Sequence, residues 1–103
     1  MKYNVKYTKM AAKDLDRVWD EVYDASKSYD VAEKYINELM DETEKRADYP
    51  KGGSPLIYDS LFTGYYFVVF KAYIAFYHID DHDMIVDRIL FGASDYIRVL
   101  KLK

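Results

Sequence analysis

The residues best able to do chemistry lie near the end of the chain. From Arg88, Ile89-Leu90-Phe91-Gly92-Ala93-Ser94 leads to Asp95, Tyr96 and Arg98. This stretch offers two guanidinium groups, a carboxylate and a phenol. A guanidinium is a rigid, permanently charged fork, suited equally to a carboxylate and to a phosphate. Arg88 therefore has two readings: a structural ion pair with a neighbour of Asp87 or with Asp95, or a contact to a phosphate or a partner protein. Asp95 reads as a helix N-cap or, with Tyr96 and Arg98, as part of a target-facing end. Lys71 separates two apolar runs, as a strand-end lysine that keeps a turn wet or as a basic group on an exposed face. Tyr73 and Tyr77 suit half-buried aromatic positions better than catalysis, because a phenol with a pKa near 10 needs strong tuning to act at neutral pH.

His78, Asp80, Asp81, His82 and Asp83 bring metal-ligand types into one short stretch. Their donors alternate in direction, no second cluster completes a coordination sphere, and the helical spacing of two ligating histidines is missing. A solvated turn is expected, with no metal and no cofactor. Cysteine is absent, which excludes disulfides, a thiol nucleophile and thiolate metal ligands.

The elements that must position these residues follow from periodicity. Tyr3, Val5 and Tyr7 alternate with Lys2, Asn4 and Lys6, as in a strand with one buried face. From Thr8, a natural N-cap, Leu15, Val18, Trp19, Val22 and Tyr23 form one helical stripe, with Lys13, Asp14, Asp16, Arg17, Asp20 and Glu21 assigned to the outside. This helix should end near Ser26 to Ser28. A second begins near Asp30, with Asp30 and Glu33 resembling a capping box, and carries Tyr35, Ile36, Leu39, Met40 and Thr43 on its stripe. Tyr49-Pro50-Lys51-Gly52-Gly53-Ser54-Pro55 stops it. Ile57 to Phe62 reads as a loop or a short extra strand. Tyr65 to Phe70, Tyr73 to Ile79 and Met84 to Phe91 then form a meander. Gly92 closes the last strand, and Ser94 or Asp95 caps a terminal helical turn. A basic tail of Arg98, Lys101 and Lys103 suits that turn's dipole.

This predicts one α+β domain over residues 1–103: an antiparallel sheet, made of the N-terminal strand and a C-terminal three-stranded meander, packed on a two-helix hairpin and followed by a short C-terminal helix. With the hairpin on one face, the other face stays partly open. The 103 residues include 12 Tyr but only 5 Phe and 1 Trp, and carry a net charge of −3. Tyrosine is an interface residue, while base-stacking platforms normally come with a positive groove. The composition thus favours a protein partner over nucleic acid. No apolar run reaches the length of a membrane span or resembles a signal-peptide core, so a cytoplasmic chain with no membrane partner is expected.

The order of elements and several local motifs resemble the RelE/ParE superfamily of toxins from type II toxin–antitoxin systems, most closely its ParE-like plasmid-stabilisation branch. The resemblance rests on the Tyr3 to Tyr7 strand, Ala32-Glu33-Lys34-Tyr35-Ile36, Tyr49-Pro50-Lys51-Gly52, and Phe70-Lys71-Ala72-Tyr73-Ile74-Ala75-Phe76-Tyr77-His78-Ile79-Asp80. It is completed by Arg88 to Tyr96, similar to the family's C-terminal signature of Arg, two apolar residues, His-Gly-x-Arg-Asp-Tyr. Phe91 and Ser94 stand where that signature has His and Arg. In the aligned positions of the ribosome-dependent ribonuclease branch, Lys71 and Arg88 are the basic survivors.

The resemblance implies a toxin bound by a cognate antitoxin, with growth inhibition as its activity and DNA gyrase as its protein target. The target or antitoxin contacts would be Arg88, Asp95, Tyr96, Arg98, Lys71 and Tyr73. The rival is an mRNA endoribonuclease acting at the ribosome, with Lys71, Arg88, Tyr96 and Arg98 supplying phosphate contacts and proton transfer. Cleavage of that kind needs a deprotonated 2′-OH and a stabilised phosphate charge, for which a chain lacking the basic cluster is poorly equipped. A second rival is a non-toxic protein-binding module on the same fold.

Overall fold

The computed structural model describes residues 2–102. Lys103, counted above with the basic tail, lies outside the described residues. A short strand β1 (Asn4–Tyr7) leads into α1 (Lys9–Ser26), and Thr8 caps that helix by accepting from the Ala11 N–H at 3.1 Å. Lys27, in the left-handed region at φ 58°, ends it. The second helix, α2 (Tyr29–Glu44), is capped by Ser28, which accepts from the Val31 N–H at 3.3 Å. The cap is therefore Ser28, not Asp30. Asp30 lies inside the first turn, where a carboxylate favours the helix dipole.

Two 3-10 turns, Lys45–Asp48 and Pro50–Gly52, carry the chain round the proline and glycine break. The segment from Ile57 to Phe62 is strand on both sides of a turn at Asp59-Ser60. It joins β2 (Ser54–Tyr58) to β3 (Leu61–Phe70). Pro55 is tolerated because β2 is an edge strand. The meander continues through β4 (Tyr73–Asp80) and β5 (Asp83–Phe91), and the chain ends in a single helical turn, α3 (Tyr96–Val99), capped by Asp95.

The five strands stand in the order β1-β5-β4-β3-β2. The sheet is mixed rather than antiparallel, because β1 pairs parallel to β5, Asn4 opposite Asp83 and Tyr7 opposite Val86. No hairpin joins these two strands, so nothing dictates an antiparallel pair. The helical hairpin and the meander lie between them, ample length for a parallel connection. The meander also has four strands rather than three.

Both helices cover one face. Ala11 and Val18 of α1 and Leu39 of α2 pack on Val68, Ala75, Tyr77, Met84, Val86 and Ile89, with Tyr3, Val5 and Tyr7 at the margin. A smaller cluster, Leu56, Phe76, Leu90 and Leu100 with Tyr96 beside them, occupies the other face. The second face is thus partly roofed by α3. No described helix is long and apolar enough to cross a membrane.

Candidate functional site

The geometry around Arg88 begins with a defect in the sheet. The register of β4 and β5 shifts between Phe76, opposite Arg88, and Tyr77, opposite Val86, leaving Asp87 as an extra residue. Such a bulge re-aims the side chains that follow it. Val86 belongs to the helix-side core, whereas Leu90, on the strand's continuation, belongs to the opposite cluster. Arg88 therefore shares the face of Leu90 and Phe76 but not that of Val86, because the bulge breaks the simple alternation.

The bulge also lies where β1 ends. Beyond Val86 the outer edge of β5 has no strand beside it, and side chains of α1 take the strand's place. The Thr8 hydroxyl donates to the Asp87 carbonyl at 2.9 Å, the Ile89 N–H donates to Asp14 at 2.9 Å, and Arg17 donates to the Ile89 carbonyl at 2.8 Å. Asp14 is the hub: Arg88 Nε donates to it at 2.7 Å, Arg88 Nη2 at 3.1 Å and Arg17 Nη1 at 2.7 Å. It is 2% exposed. Burial pushes this carboxyl up, but Arg88, the Ile89 N–H and Arg17 outweigh that and hold it below the usual carboxylate range. Arg88 is thus tied to Asp14, while Asp95 pairs with Arg98 at 3.6 Å.

On the second face, Arg88 lines a shallow depression of about 270 Å³ with Thr8, Met10, Tyr65, Asp87 and the Val99 to Lys101 end of α3. His78 lies on β4, within the strand expected from Tyr73 to Ile79, and hydrogen-bonds through Nδ1 to Asp87. The Tyr65 ring meets the His78 ring edge-on, with centroids 6.4 Å apart. Burial pushes the Asp87 carboxyl up and His78 only partly offsets it. The Tyr65 phenol is raised by burial and by the Asp87 charge. A guanidinium, a carboxylate and a phenol thus line one concave, partly apolar surface, and the His78 imidazole touches two of them, Asp87 and Tyr65.

The other sequence-predicted residues divide between the faces. Tyr96 packs on Phe76 across the second face, with ring centroids 5.2 Å apart, and brings Asp95 and Arg98 to the same end of the sheet. Lys71 stands with the hairpin instead. Its ammonium is 3.8 Å from Glu38 and 5.0 Å from the Tyr35 ring centroid. Tyr73 is core on the helix side, its hydroxyl donating to Glu21 at 2.6 Å; burial and then that carboxylate push its phenol up. Lys71 and Tyr73 therefore do not join Arg88. In the polar turn, Asp83 pairs with Lys6 at 3.0 Å and His82 stands edge-on to Tyr3. Among the described residues no three His, Asp or Glu side chains converge as metal ligands would.

Sequence reasoning missed Asp14, Tyr65, His78 and Asp87. Asp14 had a readable signal. It lies three residues after Ala11 and four before Val18, on the buried stripe of α1, where a carboxylate needs partners from elsewhere in the chain.

Comparison with known proteins agrees with this architecture. The family model described as the ParE toxin of type II toxin–antitoxin systems matches residues 5–96. No curated protein matches the chain at the sequence level. The fold is shared with a chain of the chromosomal ParDE toxin–antitoxin system from P. aeruginosa, at 17% identity and TM-score 0.73, covering 87% of this chain and 96% of that one. It is shared also with a chain of the RelBE2 toxin–antitoxin complex from Mycobacterium tuberculosis, at 19% identity and TM-score 0.62, covering 91% and 95%. YafQ from E. coli strain BL21(DE3) is similar at 17% identity and TM-score 0.56, covering 89% and 96%.

Proposed function

We infer the function from what the chain is: it belongs to the ParE toxin family of type II toxin–antitoxin systems. On that premise, growth inhibition runs through a protein target, DNA gyrase, and a cognate antitoxin neutralises it. The observation that carries this reading is the second face of the sheet. Phe76, Leu90 and Leu100 form an apolar floor under Tyr96, and Arg88 and Lys101 stand at its rim. An apolar centre with aromatic and arginine groups at its border is the composition of a protein interface. The floor is itself buried, so a flexible antitoxin segment that orders on this face would cover the half-exposed Tyr96 and the contacts assigned to Arg88, Asp95 and Arg98. Lys71 and Tyr73, on the hairpin face, would serve a partner only if it wraps round the end of the sheet.

One observation favours the ribonuclease reading. His78, oriented by Asp87, stands beside the depression that Arg88 lines, an arrangement able to accept a proton next to a bound phosphate. Against it, Lys71 lies on the far face and Asp87 places a carboxylate where phosphate oxygens would sit.

Conditional expression of the chain, with and without the adjacent antitoxin candidate, decides between these readings. Growth arrest with gyrase–DNA cleavage complexes and intact mRNA, relieved by the neighbour, is the expected result. Cut mRNA without cleavage complexes would transfer the assignment to the ribonuclease, and unimpeded growth would leave a non-toxic binding module. Arg88→Ala is informative only beside Asp14→Asn, which disturbs the same ion pair but leaves the arginine in place.

A further inference from the structure

The charge of the chain is divided between its parts. Between Lys9 and Glu44 the two helices carry eleven acidic and five basic side chains, while the rest of the chain carries seven and ten. The helical hairpin is therefore strongly negative although the whole chain is at −3.

Within the hairpin, one arrangement has no role in holding the fold. Asp16, Asp20 and Asp24 repeat every four residues along α1, a stripe of like charges spaced about 6 Å apart. Like charges at this spacing weaken a helix. All three are exposed, and among the described residues none of them makes an ion pair. The other buried or tethered acids of the hairpin have partners: Asp14 holds Arg88, Glu21 takes the Tyr73 hydroxyl, Glu38 faces Lys34 and Lys71, and Glu44 takes the Tyr7 hydroxyl.

An aromatic cluster flanks the stripe. Trp19 stacks on Tyr23 with centroids 5.3 Å apart and planes 6° from parallel, and Tyr29 at the start of α2 meets Trp19 edge-on at 5.4 Å. Tyr29 is 61% exposed and Tyr23 38%. The two-residue connection, Lys27 and Ser28, caps both helices, so the cluster sits at the closed tip of the hairpin. Exposed aromatic groups beside uncompensated charge mark an interaction surface.

We propose that this tip is a docking surface for a basic segment of a partner protein, one that sets Lys or Arg side chains about 6 Å apart against Asp16, Asp20 and Asp24 and lays their cationic heads over Trp19, Tyr23 and Tyr29. Charge complementarity selects the occupant. A ladder of carboxylates repels a nucleic acid or an acidic segment, and the aromatic faces attract cations. The surface lies on the hairpin, away from the depression beside α3, so its occupation is independent of the toxin–antitoxin assignment.

Trp19, the one tryptophan of the chain, reports directly on this surface. The full chain is titrated with a synthetic helical peptide bearing lysines at every fourth position, with a peptide of the same composition whose lysines are spread round the helix, and with a glutamate counterpart. Saturable change in Trp19 emission is expected with the first peptide only. The triple substitution Asp16→Asn, Asp20→Asn, Asp24→Asn should weaken it about tenfold, since three exposed ion pairs are individually weak but act together. Tyr29→Ser, at an exposed position, should weaken it while leaving the melting temperature unchanged. Equal response to the three peptides, a response indifferent to Tyr29→Ser, or no response would overturn the proposal. So would sedimentation showing that the chain self-associates through this tip, since the occupant would then be a second copy. Growth inhibition by the triple variant tests the toxin assignment separately.

Discussion

Replacing Asp14 with alanine should destabilise the protein more than any change at the arginines it binds. The carboxylate is 2% exposed and accepts from Arg88, Arg17 and the Ile89 N–H. Removing one member of a buried ion pair leaves the other charge uncompensated, at a cost of about 3–5 kcal/mol. Small domains are stable by only about 5–15 kcal/mol. For a domain of this size each kcal/mol lowers the melting temperature by about 4–8 °C, so Asp14→Ala should melt roughly 12–40 °C lower. Arg88→Met should cost less, about 1.5–3 kcal/mol, because Asp14 keeps the Ile89 N–H and Arg17. Arg17, whose side chain is 41% exposed, should contribute less than about 1 kcal/mol when replaced by methionine. Urea denaturation of the three variants measures the order directly. The pH dependence has a definite sign. Asp14 titrates below its ordinary value in the fold: burial raises it, and Arg88, the Ile89 N–H and Arg17 more than offset that. Its contribution is then complete above the unfolded carboxyl value of about 3.9 and is lost as pH falls through the lower folded value. The native chain should lose stability more steeply below about pH 4 than Asp14→Asn does. A loss under about 1 kcal/mol for Asp14→Ala, or a larger loss for Arg17→Met, would refute the reasoning.

Two further outcomes follow from the geometry. A methyl group at Gly53 would collide with the Tyr77 hydroxyl, which is buried and donates to the Pro50 carbonyl at 2.7 Å, whereas one at Gly52 would meet the exposed ring of Tyr49, which is free to swing away. Gly53→Ala should therefore cost about 1–3 kcal/mol and Gly52→Ala much less, as read by thermal unfolding. Added Zn²⁺, Ca²⁺ or EDTA should leave the melting temperature unchanged, since the donors of the polar turn are divided among Lys6, Tyr3 and separate strands; a shift above the scan-to-scan error would reveal a metal site.

The parts of the fold that repeat were legible in the sequence. Thr8 as a cap, the Leu15, Val18 and Val22 part of the α1 stripe, Tyr35, Ile36 and Leu39 of α2, the proline and glycine break and the paired strands after Tyr65 all stand where periodicity and turn chemistry place them, whereas Tyr23 is exposed and Asp14, assigned to the outside, is buried. The misread parts depend on partners far away in the chain. Pro55 concealed β2, because proline argues against a strand unless the strand is at an edge, and edge position is a property of the whole sheet. The parallel pairing of β1 leaves no local signature. Asp30 resembled a cap because an acid followed three residues later by Glu imitates one, while Ser28 supplied the actual oxygen. In the candidate site, Arg88, Asp95, Tyr96 and Arg98 are gathered near one end of the second face, but Lys71 and Tyr73 are turned to the hairpin by strand alternation and the β3–β4 turn. The bulge at Asp87 defeated simple alternation and brought His78 and Asp87 together.

The side-chain closure of the β5 edge also orders events during synthesis. Strand β1 has β5 as its sole neighbour in the sheet, and Asp14 finds Arg88 and Ile89 only after more than seventy further residues have been made. Until then the N-terminal strand has nothing to pair with, and the carboxylate of α1 must stay hydrated. The helical hairpin can form as it emerges, but it cannot settle on a sheet whose adjoining strand does not yet exist. Since chains emerge at about 5–20 residues per second, several seconds separate the first element from its anchor. A ribosome that stalls before residue 83 therefore releases a product that cannot assemble this sheet. Acquisition of the toxin fold is deferred until the segment carrying Arg88 has been synthesised.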